Sequence, residues 1–229
     1  MNSGLIFATV EESTVKEEIT ELDEISMPPV EIVVVAHNPD SWFKEVLGSF
    51  AVQNYLNLKA TILTTGPIEP IQTIVSEYLP QADILEVNPN HGMGRNLNSV
   101  LQNKEQPAYF LFCHHDVSLA PDAVRLMVEE SFRSNAAIIG PKVVNWERPN
   151  ELLDVGYEMD KLGYPVSRIE EGELDQEQYD AVSEVFVVST TATLVRADLF
   201  AALGGFDEEM GMIGEDVDLC WRAHLAGAR

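Results

Sequence analysis

The chain has 229 residues, 45% of them apolar and 23% charged. That is the mix of one large or two small globular domains, and it excludes a wholly disordered, collagen-like or disulfide-scaffold protein. The formal net charge of −24 excludes recognition of a nucleic-acid backbone and docking on anionic lipid through a general basic surface.

Residues 1–28 are acidic, lack an apolar period and end in Met27-Pro28-Pro29, so they are expected to be a solvated tail ahead of a domain spanning 29–229. Val30–Ala36 (VEIVVVA) is the β-branched run of a buried strand. Ser41 then stands where it can cap a helix carrying Trp42, Phe43, Val46, Leu47 and Phe50 on one face. The alternation continues with strands over 58–64, 84–87 and 109–113 and helices over 68–78, 95–102 and 121–132. Strands alternating with helices imply βαβ units, a mostly parallel sheet covered on both faces, and a ligand at the carboxyl ends of the strands. Those ends are His37-Asn38, Thr65-Gly66, Asn88 to Arg95 and His114-His115-Asp116.

After Ala136 the pattern changes. Residues 138–144, 155–159 and 185–195 read as strands, around an acidic surface loop over 170–180. A short helix over 198–203 ends at Gly204-Gly205, and 215–225 is a helix in which Asp218 and Arg222 form an i, i+4 pair. Cys113 and Cys220 are far apart and lack metal-type spacing, which points to a reducing, cytoplasmic compartment. Leu5–Val10 is too short for a signal peptide and no apolar run reaches about 18 residues, so no membrane segment is expected in the chain as given.

Three clusters carry chemistry. His114 and Asp116, two apart at a strand end, face the same way and suit one divalent ion, Mn²⁺ or Mg²⁺. The plain alternative is that Asp116 caps a turn. Asn90-His91-Gly92-Met93-Gly94-Arg95 opens a helix, where glycines admit close backbone approach and the helix start favours an anion, although such entries are often only turns. Gly214-Glu215-Asp216-Val217-Asp218 opens the last helix. Its acids complement the helix dipole, or one of them serves as a general base.

Taken in order, VVVAHN, NHGMGRNLN, YFLFCHHDVSLAPDAV, GPKVVNW, LLDVGYEMD, STTATLVRADLFAALGGFDEEM and GEDVDLCWRAHLAGAR resemble the inverting, family-two-like glycosyltransferases of the GT-A fold, over about Val30 to Arg229. The resemblance implies a Rossmann-like three-layer α/β/α architecture with a mostly parallel central mixed sheet. Its nucleotide-binding part would span about 29–135 and its acceptor-side part about 136–229. It implies a nucleotide-sugar donor, a carbohydrate or lipid-linked acceptor of cell-wall or polysaccharide biosynthesis, and single inverting displacement.

In that frame Asp116 matches the last acid of the family's Asp-x-Asp motif, with His114 where the first acid usually stands. Asp216 matches the catalytic base, with Glu215 beside it. Ala36, His37, Asn38, Gly94, Arg95 and His115 fall at the donor, and Thr190, Thr191, Gly205 and Phe206 along the sugar and acceptor wall. The second strand ends in Thr64-Thr65-Gly66 where many relatives carry a base-reading acid. Relatives usually continue past the position of Arg229 with a strand and often a histidine. A truncated product, or a catalytic domain excised from a longer membrane-attached protein, is therefore expected. A degenerate, non-catalytic GT-A module is the alternative, and a metal-dependent hydrolase using His114, His115 and Asp116 a more distant one.

Overall fold

The computed structural model describes residues 27–101, 106–210 and 214–229; the expected acidic tail lies outside them up to residue 26. Strands β1 (Val30–Ala36), β2 (Leu58–Thr64), β3 (Asp83–Glu86) and β4 (Tyr109–His114) alternate with helices α1 (Phe43–Ala51), α2 (Ile68–Tyr78) and α3 (Met93–Leu101). Helix α4 (Ala123–Ser134) follows β4. The chain then makes five short strands, β5 (Ile138–Ile139), β6 (Val143–Val144), β7 (Leu152–Asp154), β8 (Tyr157–Met159) and β9 (Pro165–Ser167). It returns through β10 (Ala192–Arg196) to helices α5 (Ala197–Ala202) and α6 (Glu215–Leu225).

The main sheet has the order β3-β2-β1-β4-β10-β5. Its first four strands are parallel, and β10 joins β4 and β5 antiparallel. Alternation along the strands sorts side chains into two cores. Val30, Ile32 and Val34 pack with Phe43, Leu47, Ile71, Val75, Val124 and Val128 of α1, α2 and α4. Val33, Phe110 and Phe112 pack with Leu97, Phe200, Phe206 and Leu219 on the α3, α5 and α6 side. The result is the expected three layers, with β1 fully covered, which is why its sequence reads as a continuous apolar run.

Three local expectations are corrected. Ser41 does not cap α1: the helix begins at Phe43 without a side-chain cap, the Ser41 N–H donates to Asp40 Oδ1 at 2.6 Å, and Trp42 is exposed. The strand expected over 138–144 is two strands in different sheets, because Gly140-Pro141 breaks it. At Gly140 the chain runs so close to Val188 that a β-carbon would lie 2.4 Å from Cγ1. The strand expected over 185–195 is regular only from Ala192. Before it, Ser189 Oγ accepts from the Thr191 N–H at 3.2 Å and Thr193 Oγ1 donates to the Ser189 carbonyl, so side chains take the place of ladder partners.

Candidate active site

The parallel strands deliver their carboxyl ends to one edge of the sheet. Ala36 sits opposite Thr64, and Val35 opposite His114. Because β10 runs antiparallel, its amino end reaches the same edge, where Ala192 lies opposite Cys113. The His114 N–H donates to the Thr191 carbonyl at 3.0 Å. The sequence-predicted donor end and acceptor wall are therefore neighbours across the β4–β10 seam.

At the end of β1, Ala36 is buried while His37 and Asn38 are exposed, and Asn38 turns the chain with φ +45. His37 Nδ1 and Thr65 Oγ1 are 2.6 Å apart, so the first and second strand ends are tied by side chains. At the entry to α3, the buried Asn96 donates to the carbonyls of Asn88 (3.0 Å) and His91 (3.4 Å), which fixes the preceding turn. Gly94 is packed so closely on the segment after α5 that a β-carbon would lie 2.9 Å from Phe206 Cβ. Arg95, half exposed, pairs with Glu208 at 3.3 Å.

His114 is half-buried, His115 likewise, and Asp116 is exposed. Burial pushes the His114 imidazole below its ordinary value, and His115 adds to this. The carboxylates of Asp116 and Asp216 pull the other way, so both stand close enough to act on it electrostatically. Leu219 of α6 shares a core with Phe112 of β4, which sets the helix on that side of the sheet. Among the described residues, no three His, Cys, Asp or Glu side chains form a ready-made metal cluster.

Helix α6 opens on Gly214, whose φ of +97 suits glycine, and brings Glu215, Asp216 and Asp218 into its first turn. Glu215 is 6% exposed, and its Oε2 has no hydrogen-bond partner. Burial raises its pKa, its backbone amide opposes this, and Asp216 adds to the rise. Arg222 pairs with Asp218 and with the loop ahead of the helix. Its Nε and Nη2 donate to Asp218 Oδ2 (2.8 and 2.5 Å), and Nη1 and Nη2 reach the carbonyls of Leu203 (2.9 Å) and Gly205 (3.0 Å). Of the residues expected along the wall, Thr190 is buried and Thr191 half-buried with its hydroxyl 2.8 Å from Ser189 Oγ. The Phe206 ring is 2% exposed and stacks edge-on with Phe112 and Phe200 at 5.0 and 5.1 Å. The ring is therefore part of the core on the α3, α5 and α6 side.

Three residues with no role assigned in the sequence belong to this surrounding. Asp154, at the end of β7, accepts from the Gly156 N–H at 2.7 Å. Burial raises its pKa, with Asp216 adding to the rise and Gly156 and Ser189 opposing it. Asp154 and Ser189 also line a cavity of about 1060 Å³ that reaches Thr191 and Cys220. Asn98, 3% exposed, holds both the N–H and the carbonyl of Phe206. Asp154 is one acid in an acid-rich stretch, and Asn98 one of several asparagines in NHGMGRNLN. Only the partner residues, distant in sequence, distinguish them.

No helix among the described residues is long and apolar enough to cross a membrane. A stretch of 71 residues is 45% identical to the pre-mycofactocin glycosyltransferase of Mycobacterium tuberculosis, covering 28% of this chain and 15% of that protein. The fold is similar to the mannosyltransferase PcManGT from Pyrobaculum calidifontis, solved with GDP-Man and Mn²⁺. The TM-score is 0.63 at 14% identity, over 90% of this chain and 55% of that one. It is also similar to S. aureus TarS 1-349 in complex with UDP-GlcNAc, with TM-score 0.59 at 18% identity, over 86% of this chain and 53% of that one. The chain thus spans about half the length of these solved relatives, and the likeness is one of fold. Residues 28–229 match the family described as Glycosyltransferase like family 2, and with nearly the whole chain inside that match, the protein belongs to this family and has the GT-A fold.

Proposed function

We propose that the chain transfers a sugar from a nucleotide-sugar donor to a hydroxyl of a carbohydrate or lipid-linked acceptor by one inverting displacement. The observation that carries this reading is the meeting, at one edge of the sheet, of the β4 end that leads into His114 and Asp116 with the Thr191 end of β10, in a chain whose residues 28–229 match the glycosyltransferase family. A donor diphosphate held at Asp116 would then present its anomeric carbon to an acceptor served by Asp216. Residues 29–135 supply the donor half and 136–229 the acceptor half. Nucleotide-sugar use is supported by the two similar solved structures, which are complexes with GDP-Man and UDP-GlcNAc.

Asp216 takes the proton of the acceptor hydroxyl as its oxygen bonds to the anomeric carbon. The bond from that carbon to the diphosphate oxygen breaks, its electron pair leaves with the nucleoside diphosphate, and the configuration inverts. No protein nucleophile is required. His114 and Asp116 fit a divalent ion that takes its remaining ligands from phosphate oxygens and water, since among the described residues no three His, Cys, Asp or Glu side chains form a cluster. Bound there, Mn²⁺ or Mg²⁺ would neutralise charge on the leaving group. His37 and Asn38, after Ala36, border the nucleotide base, while Gly94, Arg95 and His115 lie at the diphosphate and sugar. Thr190, Thr191 and the Gly205-Phe206 backbone form the wall, and Glu215 keeps its carboxyl beside the base. The buried, unbridged Cys113 and Cys220 suit a cytoplasmic setting.

The test is a panel of UDP-, GDP- and dTDP-sugars with Mn²⁺ and simple glycan acceptors. Turnover that falls about 10²- to 10⁴-fold in Asp216→Asn, with donor binding retained, is expected for loss of a general base. Turnover unaffected by Asp216→Asn and Asp116→Ala would refute the assignment. The absence of an acid at Thr64-Thr65-Gly66 favours a second reading, a non-catalytic binding or scaffold module. Donor binding without turnover by the wild-type chain would establish that instead.

A further inference from the structure

Phe206 is the point at which three parts of the candidate site meet. Its ring packs on Phe112 of β4, two residues before His114. Its backbone is gripped from α3: Asn98 Nδ2 donates to the Phe206 carbonyl at 2.8 Å, and Asn98 Oδ1 accepts from the Phe206 N–H at 3.0 Å. On the other side Arg222 of α6 holds the carbonyls of Leu203 and Gly205. The segment from Leu203 to Phe206, which leads to the helix bearing Asp216, is therefore tied both to the donor-side helix and to the base helix.

The Asn98 contact is chemically narrow. A carboxamide presents one donor and one acceptor in a plane, so it pairs with both groups of one residue as a neighbouring strand would. Aspartate at 98 would accept from the Phe206 N–H but could not donate to its carbonyl. Glutamine would be too long, because Gly205 already lies against the amide: a β-carbon there would be 2.3 Å from Asn98 Oδ1. Gly205 also sits at φ +80, where a side chain is strained. The pair is buried, so a lost partner would not be replaced by bulk water without movement of the loop.

We propose that Asn98 is a positioning residue for sugar transfer, acting through the Phe206 backbone to set the distance between the donor held at α3 and the base on α6. This rests on the reading of Asp216 as the base. A misplacement of about 1 Å costs on the order of 100-fold in rate, whereas a purely structural asparagine would lower stability and leave turnover per folded molecule unchanged.

The experiment compares wild type, Asn98→Ala, Asn98→Asp, Gly205→Ala and the Asn98→Ala/Gly205→Ala double variant, below the melting temperature of every protein. Binding of UDP and GDP with Mn²⁺ is measured by calorimetry, and kcat and acceptor KM with the donor that wild type turns over. The expected result is a kcat about 100-fold lower in both Asn98 variants, with the nucleoside diphosphate Kd within about threefold of wild type. Gly205→Ala should lower kcat in the same way, and the double variant should lose less than the product of the two single losses, since the collision with the carboxamide disappears while the strain at φ +80 remains. Wild-type kcat in the folded Asn98 variants, or losses that multiply in the double variant, would overturn the proposal while leaving the transferase reading in place. A wild-type chain that binds neither diphosphate and turns over no donor would overturn both.

Discussion

Replacing Arg222 tests what holds the loop ahead of α6. Its guanidinium makes two kinds of contact, an ion pair with Asp218 and hydrogen bonds to the carbonyls of Leu203 and Gly205. A hydrogen bond to a charged group contributes about 1.5–3 kcal/mol, but this side chain is 27% exposed, so water recovers part of each loss and screening weakens the ion pair. Arg222→Ala should therefore cost about 2–3 kcal/mol. For a domain of this size that corresponds to a melting temperature lower by roughly 4–12 °C. Arg222→Lys keeps the charge beside Asp218 but lacks the planar fork that reaches two carbonyls, and should lose about 1–2 kcal/mol. Asp218→Asn removes the ion pair alone and should cost about 1 kcal/mol or less. Thermal and urea unfolding of the three variants gives the order directly. If Asp218→Asn were as damaging as Arg222→Lys, the ion pair and not the bracketing of the loop would be what Arg222 contributes.

Two further outcomes are expected. Glu215 is raised above the ordinary carboxylate range by burial, so the folded state binds its proton more tightly than the unfolded chain does. The stability linked to that proton is fully present below the unfolded value near 4.5 and is lost as pH rises through the folded one. Glu215→Gln should gain stability relative to wild type as pH rises from about 4 to 8; a difference in melting temperature that stays flat or runs the other way would refute this. Burial pushes the Cys220 thiol up to about 11 and Cys113 higher still, so neither should react with a disulfide reagent at pH 8 in native buffer, and both should react in guanidinium. One thiol titrating rapidly in the native protein would contradict the packing described for it.

The bounds of β1, β2, α2 and α6 were legible because each is an apolar pattern closed by turn residues or by a helix-starting glycine, and tertiary contacts did not override it. The second half was less legible for local reasons. Gly140-Pro141 splits an apolar run that reads as continuous. The hydroxyls of Ser189, Thr191 and Thr193 satisfy the backbone in a stretch that looks like uninterrupted strand. Among site residues, the strand-end groups and the acids of α6 follow from their position in the chain. Asn98 and Asp154 depend on partners far off in sequence, Phe206 in one case and Ser189 and Asp216 in the other. Phe206 shows the converse: its place beside the site was readable, but the direction of its ring was set by the aromatic cluster with Phe112 and Phe200.

The antiparallel entry of β10 has a consequence for how the protein is made. The strands β1, β2 and β3 pair with near neighbours in the chain, whereas β1 must find β4 from Val30 to Tyr109, and β10 must find β4 from Ala192 to Cys113 across the whole excursion that contains β5 to β9. Contacts of such long sequence separation incur loop-closure entropy before they return any stability and tend to form late. Secondary structure would then recover early in refolding. The edge of the sheet where His114 meets Thr191 needs both of these long-range closures, so binding of a nucleoside diphosphate should lag the return of helical signal.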